Sequence, residues 1–291
     1  MKVALGSVAG LAVLVAAGVV VATVPRLSDP APEARAVQSS RSTAPVVDRG
    51  SAPSPKSSSR TGRATRLATY PLQGVVVALD PGHQLGNHNY PRQINALVPA
   101  GGFKKACNTT GTATNSGVPE ATVNFVLAHV VRARLQRLGA TVRMTRNTNR
   151  EDRWGPCIDA RGRFGRHVGA ALSVSLHADG SSSGNHGFHV IAPTRRSPWT
   201  TDIAGPSYRL ARLLRNGLTA ANIPRSNYIG GGTGIDVRSD LGTLNMSDVP
   251  IAMIEIGNMR NSVDAQRMTT RAGRARYATA IVSGIRAWLR R

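Results

Sequence analysis

Three apolar runs recur along the chain, and each delivers a polar residue capable of chemistry. Val75–Leu79 (VVVAL) leads through Asp80, Pro81 and Gly82 to His83; Leu172–Leu176 (LSVSL) leads to His177; Ile251–Ile254 (IAMI) leads to Glu255. Short apolar runs of this kind read as strands buried on both faces, as parallel sheets require. In open α/β sheets ligands gather at the carboxyl ends of the strands, so the pattern sends a His, a His and a Glu to one edge. Between the runs the period changes. Glu120 opens a helix with Val123, Val126, Leu127, Val130, Val131, Leu135 and Leu138 on an inward stripe, and Gly139 ends it. Thr141–Thr145 predicts a strand, Ile158 to Val168 a helix, and Gly187–Ala192 a strand. Ile203–Ala221 predicts a helix with Leu210, Leu213, Leu214 and Leu218 inward, and Val263–Leu289 a closing helical region. Asn227–Asn245 is Gly-rich and predicts loop with short strands. Strands separated by helices, and by loops too long for hairpins, predict an α/β fold: a single domain with a largely parallel twisted sheet covered by helices on both faces, its site at the carboxyl ends of the strands.

The periodic pattern stops short of the N-terminus. Val3 to Val24 carries no charge and is followed by Arg26, so residues 1–24 predict a signal peptide or an N-terminal membrane anchor. Residues 25–69, rich in Ser, Pro, Ala and Arg, predict a disordered linker, and residues 70–291 the one folded domain. Either reading of 1–24 exports the remainder to the cell envelope, the periplasmic space or the medium. In that compartment Cys107 and Cys157 predict one disulfide, worth on the order of 4 kcal/mol for a loop of about 50 residues. The formal charge of +22 predicts attraction to the anionic polymers of an envelope. Nucleic acid is not expected, because aromatic residues are only 4% of the chain and supply no stacking platform.

Gln84 to Pro119 is a long Gly-, Asn- and Thr-rich connection, and connections of this size are usually functional or structured in their own right. Two expectations stand for it: a flap over the groove, pinned at its base by Cys107 and mobile at its tip, with Lys104 and Lys105 near anionic polymer, or an inert surface hairpin. The polar residues suggest the chemistry beneath it. A catalytic zinc takes three ligands from His and carboxylate and leaves one position for water. His83, His177 and Glu120 fill that set, Glu120 being held on the first turn of a helix. Glu255 is then a free carboxylate beside the metal, as general-base hydrolysis needs. The bland readings are that a His after a strand is an ordinary hydrogen-bonded residue and a Glu opening a helix serves the dipole. His129 lies about half a turn round the helix from Glu120 and should face solvent; His186 and His189 flank the next strand and read as structural, the alternative being that they line the groove. Gly230, Gly231, Gly232 and Gly234 lack the Lys-Ser/Thr of a phosphate loop and read as a tight turn.

Four ordered stretches carry a resemblance: LDPGH at Leu79–His83; Glu120 and Asn124, continuing to Thr145-Arg146; Ile158-Asp159-Ala160-Arg161 followed by SVSLHAD at Ser173–Asp179; and IEIGNMRN at Ile254–Asn261. From Val75 onward the chain resembles the zinc-dependent N-acetylmuramoyl-L-alanine amidases, the Amidase_3 type of cell-wall hydrolase. The resemblance implies one zinc ion on His83, Glu120 and His177, a catalytic Glu255, supporting roles for Asn124 and Arg161, and a monomer acting on peptidoglycan or muropeptides. The family often has Ala-Asn where Gly165-Arg166 stands, usually has Phe at Asn258, and has a shorter connection after His83. The rival readings are a zinc carboxypeptidase or endopeptidase acting on stem peptides, and a basic wall-binding protein without activity.

Overall fold

The structure is a computed structural model, and it describes residues 70–290. The leader or anchor expected over 1–24 and the linker over 25–69 lie outside the described residues. Among the described residues no helix is long and apolar enough to cross a membrane.

In chain order the strands are β1 (Val76–Pro81), β2 (Leu97–Pro99), β3 (Lys104–Ala106), β4 (Thr141–Met144), β5 (Leu172–Asp179), β6 (His189–Pro193), β7 (Ile235–Arg238) and β8 (Ile251–Asn258). β2 and β3 form a separate antiparallel hairpin. The other six make one sheet in the order β4-β1-β5-β8-β6-β7. The first four run parallel, and the direction reverses once, between β8 and β6, with β7 following β6. The largely parallel sheet expected from the sequence is present, with a reversed pair at one edge.

The two faces are covered unequally. On one lie the long helices α2 (Glu120–Arg137), α4 (Ala204–Ala220) and α7 (Arg271–Leu289). Their stripes, among them Leu127, Val131 and Leu135, Leu210, Leu214 and Leu218, and Tyr277, Ile281 and Ile285, meet Val77, Leu79, Leu172, Val174, Leu176, Ala252 and Ile254 in the main core. Each such side chain contributes about 1.5–3 kcal/mol on leaving water. On the other face lie the shorter α3 (Ile158–His167) and α5 (Gly242–Asn245), over a small apolar cluster of Ile191, Ile203, Leu244, Ile251 and Met253.

Side chains alternate along a strand, so β5 sends Leu172, Val174, Leu176 and Ala178 into the main core while Ser173, Ser175 and His177 take the opposite face. β5 is thus an alternating strand, not the doubly apolar run that its Leu and Val suggest. β5 and β8 also continue past His177 and Glu255, so both residues sit within strands. The closing helical region is two helices, α6 (Ser262–Thr269) and α7, because Thr270 leaves helical geometry and caps α7 by accepting the amide of Gly273.

The connection after His83 carries structure of its own: a 3-10 turn at Leu85–Asn89, α1 (Pro91–Ile94) and the β2–β3 hairpin. Cys107 is disulfide-bonded to Cys157, the residue that opens α3, as expected. The tip is held as well as the base. Asn245 Nδ2 donates to the Ala100 carbonyl at 2.9 Å, Lys105 Nζ donates to the Asp240 carbonyl at 2.9 Å, and the Arg196 guanidinium lies 5.1 Å from the Phe103 ring centre. The connection thus contains a surface hairpin, one of the two expectations, with contacts to Asn245, Asp240 and Arg196 at Ala100, Lys105 and Phe103.

Candidate active site

β1 ends at Asp80-Pro81, and the chain turns through Gly82 to His83, whose φ of 57° lies in the left-handed region that non-glycine residues rarely enter. Two buried arginines hold that turn. Arg161, on α3, donates to the carbonyls of Pro81 at 2.9 Å and His83 at 2.8 Å; Arg146, just beyond β4, donates to those of Pro81 at 2.9 Å and Gly82 at 3.1 Å, and to Ala121 at 2.7 Å. Asp80 balances the charge: it pairs with Arg161 and accepts from Thr145 Oγ1 at 2.6 Å and Ser175 Oγ at 2.7 Å. Burial alone would raise the Asp80 pKa, but the Arg161 charge and the two hydroxyls bring it below the ordinary value. Arg146 is pushed down to about 9 by burial and by the like charge of Arg161. The resemblance implies supporting roles for Arg161 and Asn124; Arg146 and Asp80 stand in matched stretches without an assigned role, and Asp80 otherwise reads from the sequence only as a strand stop.

The turn delivers His83 to Glu120 and His177. The three offer one ligand atom each, all within 4.8 Å of one another. His83 Nε2 is 3.2 Å from Glu120 Oε2, and His177 Nδ1 is 3.0 Å from Glu120 Oε1. On its other side the His83 ring donates from Nδ1 to the Thr109 carbonyl at 3.0 Å. Glu120, the first residue of α2, accepts from Asn124 Nδ2 at 3.1 Å, and from the backbone amides of Thr112 at 3.0 Å and Ala178 at 3.1 Å. Two glycines let backbone reach these groups. A Cβ on Gly82 would lie 2.2 Å from His177 Cε1, and one on Gly111 would lie 2.7 Å from Glu120 Oε2. Burial opposes charge at all three residues. The neighbouring histidines nevertheless hold the Glu120 pKa well below the ordinary value, Glu120 holds that of His83 above its ordinary value, and for His177 burial prevails and the pKa falls.

Glu255 stands beside His177 in the parallel ladder and opposite His189 in the antiparallel one, so His177, Glu255 and His189 form a row across β5, β8 and β6. Its Oε2 is buried without a hydrogen-bond partner. Burial first, then the charges of Glu120 and Asp179, raise its pKa well above the ordinary value. Two cavities, of about 540 and 300 Å³, open from the cluster, and His83, His177 and Glu255 line both. Of the other histidines, His129 is exposed against Phe125 as expected, and His189 is buried behind Glu255. Gly230–Gly232 forms a tight 3-10 turn, not a phosphate cradle.

A family model described as N-acetylmuramoyl-L-alanine amidase matches residues 77–287 of the chain, which spans every element built into this site. The chain belongs to the N-acetylmuramoyl-L-alanine amidase family. It is similar to an N-acetylmuramoyl-L-alanine amidase of Mycobacterium tuberculosis, 39% identical over 221 residues that cover 75% of this chain and 88% of that one. Among solved structures it is similar to the apo form of the amidase Ami1 of Mycobacterium abscessus, with 40% identity, a TM-score of 0.69, and 75% of this chain and all of that one covered. It is also similar to Ami1 of Mycobacterium smegmatis, with 38% identity, a TM-score of 0.69, and coverage of 75% and 98%. This amidase is a cell-wall hydrolase, and the bond it breaks joins N-acetylmuramic acid to L-alanine. Sequence reasoning passes over Asp80, Arg146, Thr109, Gly111 and the Asp179–Tyr228 pair, in which Tyr228 donates to Asp179 at 2.8 Å. For Asp80 the alternation of Ser with Leu and Val in β5 is an available signal, since it announces a polar face beside β1.

Proposed function

We propose that this amidase is a zinc enzyme in which His83, Glu120 and His177 hold the ion and Glu255 carries the proton. The observation that supports this reading is the donor set: two imidazole nitrogens and a carboxylate oxygen within 4.8 Å, with a fourth group, Glu255, alongside. That is the combination zinc hydrolases use. The surroundings fit the same ion. Thr109 engages the far nitrogen of His83 and so leaves Nε2 for the cluster, and Asn124 with two backbone amides orients Glu120, the kind of outer contact that fixes metal ligands. Zinc, when bound, supplies a Lewis acid for the scissile carbonyl and brings the pKa of water to about 7. Glu255 takes a proton from the attacking water and returns it to the amine of L-alanine as the C–N bond breaks. A buried carboxylate with raised proton affinity suits the second half of that exchange. Arg161, Arg146 and Asp80 keep His83 in its left-handed turn throughout.

Residues 1–24 bring the enzyme to the wall as a signal peptide or anchor, 25–69 serve as a tether, and 70–291 do the chemistry. Metal analysis of the purified protein, paired with mass spectrometry of digested muropeptides, tests the reading. One zinc per chain and intact stem peptide freed from glycan are expected. Cleavage inside the stem peptide would point to the peptidase alternative, and folded, active protein without zinc would remove the ion from the reaction.

A further inference from the structure

Three cations line the two cavities at the cluster: Lys105, Arg161 and Arg260. Two of them are committed to carboxylates. Arg161 is paired with Asp80, and Lys105 Nζ lies 3.6 Å from Asp240 Oδ2. Arg260, on the loop between β8 and α6, makes no ion pair among the described residues, although it lines the larger cavity with Glu255 and the three clustered residues.

Its placement is specified from both sides. The fully buried Asn258 accepts the Arg260 backbone amide at 3.0 Å, and donates from Nδ2 to the carbonyls of Ser182 at 2.8 Å and Asn185 at 2.7 Å, so the loop is fixed where the side chain leaves it. The guanidinium then donates from Nη1 to Asn115 Oδ1 at 3.2 Å, while Asn115 Nδ2 donates back to the Arg260 carbonyl at 3.1 Å. Asn115 belongs to the long connection after His83. The reciprocal pair therefore links the two segments that border the cavity and leaves the remaining guanidinium N–H groups uncommitted. The nearby Asp179 does not absorb them. Its oxygens accept from the Gly180 amide at 3.0 Å and from Tyr228.

We infer that Arg260 anchors a free carboxylate of the stem peptide, so that the cavity it lines receives the peptide side of the scissile amide. The inference rests on the amidase reading and adds to it the direction in which substrate lies. The lactyl carboxyl of N-acetylmuramic acid is consumed in the amide bond, so the sugar side next to that bond is neutral. The stem peptide carries carboxylates outside its backbone linkages. A planar guanidinium with open N–H groups is the side chain best matched to a carboxylate, pairing through two parallel hydrogen bonds where a lysine offers only a point charge.

The test uses substrates that differ in one group: N-acetylmuramoyl-L-alanyl-D-isoglutamate against its isoglutamine counterpart, and tripeptide substrates with the third residue's side-chain carboxylate free or amidated. In the full-length zinc enzyme, KM for one acid substrate should be about tenfold below that for its amide, with kcat little changed, and the pair that shows the difference identifies the carboxylate. Arg260→Ala should bring that ratio close to one, and Arg260→Lys should restore part of it, with zinc content the same in all three proteins. Indifference of the wild type to amidation at both positions, or a wild-type preference surviving in Arg260→Ala, would overturn the assignment. A wild type that cuts none of the substrates would instead overturn the amidase reading on which it rests.

Discussion

On the face covered by α2, α4 and α7 the strands contribute Val77, Leu79, Val174, Leu176 and Ile254; on the other face the same strands contribute Asp80, Ser175, His177 and Glu255. One step along a strand separates a residue that packs in the main core from a residue that belongs to the candidate site or its support. The apolar side is redundant, since each Leu or Ile touches many neighbours and no single contact is indispensable. The polar side is interdependent. Asp80 has particular partners in Arg161, Thr145 and Ser175, and Arg161 in turn holds the carbonyls that shape the His83 turn. Both faces carry stability, but the candidate site lies on one of them, and that difference can be tested.

The largest effect should come from the cluster itself. His83→Ala, Glu120→Ala or His177→Ala should each lose zinc and bring muropeptide cleavage below detection while the main core stays folded; full metal content in all three variants would dismantle the site as drawn. Next, Glu255→Gln should keep zinc and fold and lose about 10² to 10⁴ in rate. If zinc leaves with the activity, Glu255 is a ligand and not a proton carrier. Third, the faces should separate when matched by stability cost. Arg161→Met strands Asp80 and should cost about 3–5 kcal/mol, and Leu214→Ala on α4 should cost about 2–5 kcal/mol, both read by chemical denaturation. Activity per folded molecule should fall only for Arg161→Met, and equal loss in both variants would erase the distinction. The smallest effect is on pH dependence. The folded-state pKa of Asp80 lies below the ordinary 3.8. Its ion-pair contribution is therefore complete above that value and is lost as pH falls through the folded-state pKa. Asp80→Asn should flatten the slope of Tm against pH in that acid window, and an unchanged slope would assign acid sensitivity to other carboxylates.

The four principal residues are legible because apolar runs and a helix start carry them, and those features are local. α2 is likewise legible in its apolar stripe and in the Gly139 that follows it. The clamp around His83 is not, because it depends on register: Asp80 meets Ser175 only because β1 and β5 pair in parallel with those two Cα atoms opposite. The role of Arg146, though the residue stands in a matched stretch, is hidden for a related reason, since most of its partners are backbone carbonyls, which leave no mark in a sequence. The strands of the β2–β3 hairpin cannot be placed from the sequence, because each is three residues long, none of their residues is fully buried, and they lack the alternation that marks a strand. Thr270 splits the last helical region through a cap that the apolar spacing on either side conceals.

The close approach of Gly82 to the His177 ring and of Gly111 to the Glu120 and His83 side chains bears on the entropy of the metal capture proposed for this cluster. With main chain packed against the rings and the carboxylate, the three side chains have few rotamers left to lose when an ion arrives; that disorder was surrendered when the chain folded. The site should load as a rigid socket, and the amides of Thr112 and Ala178, whose hydrogens point at Glu120, should exchange with solvent at rates that zinc changes little.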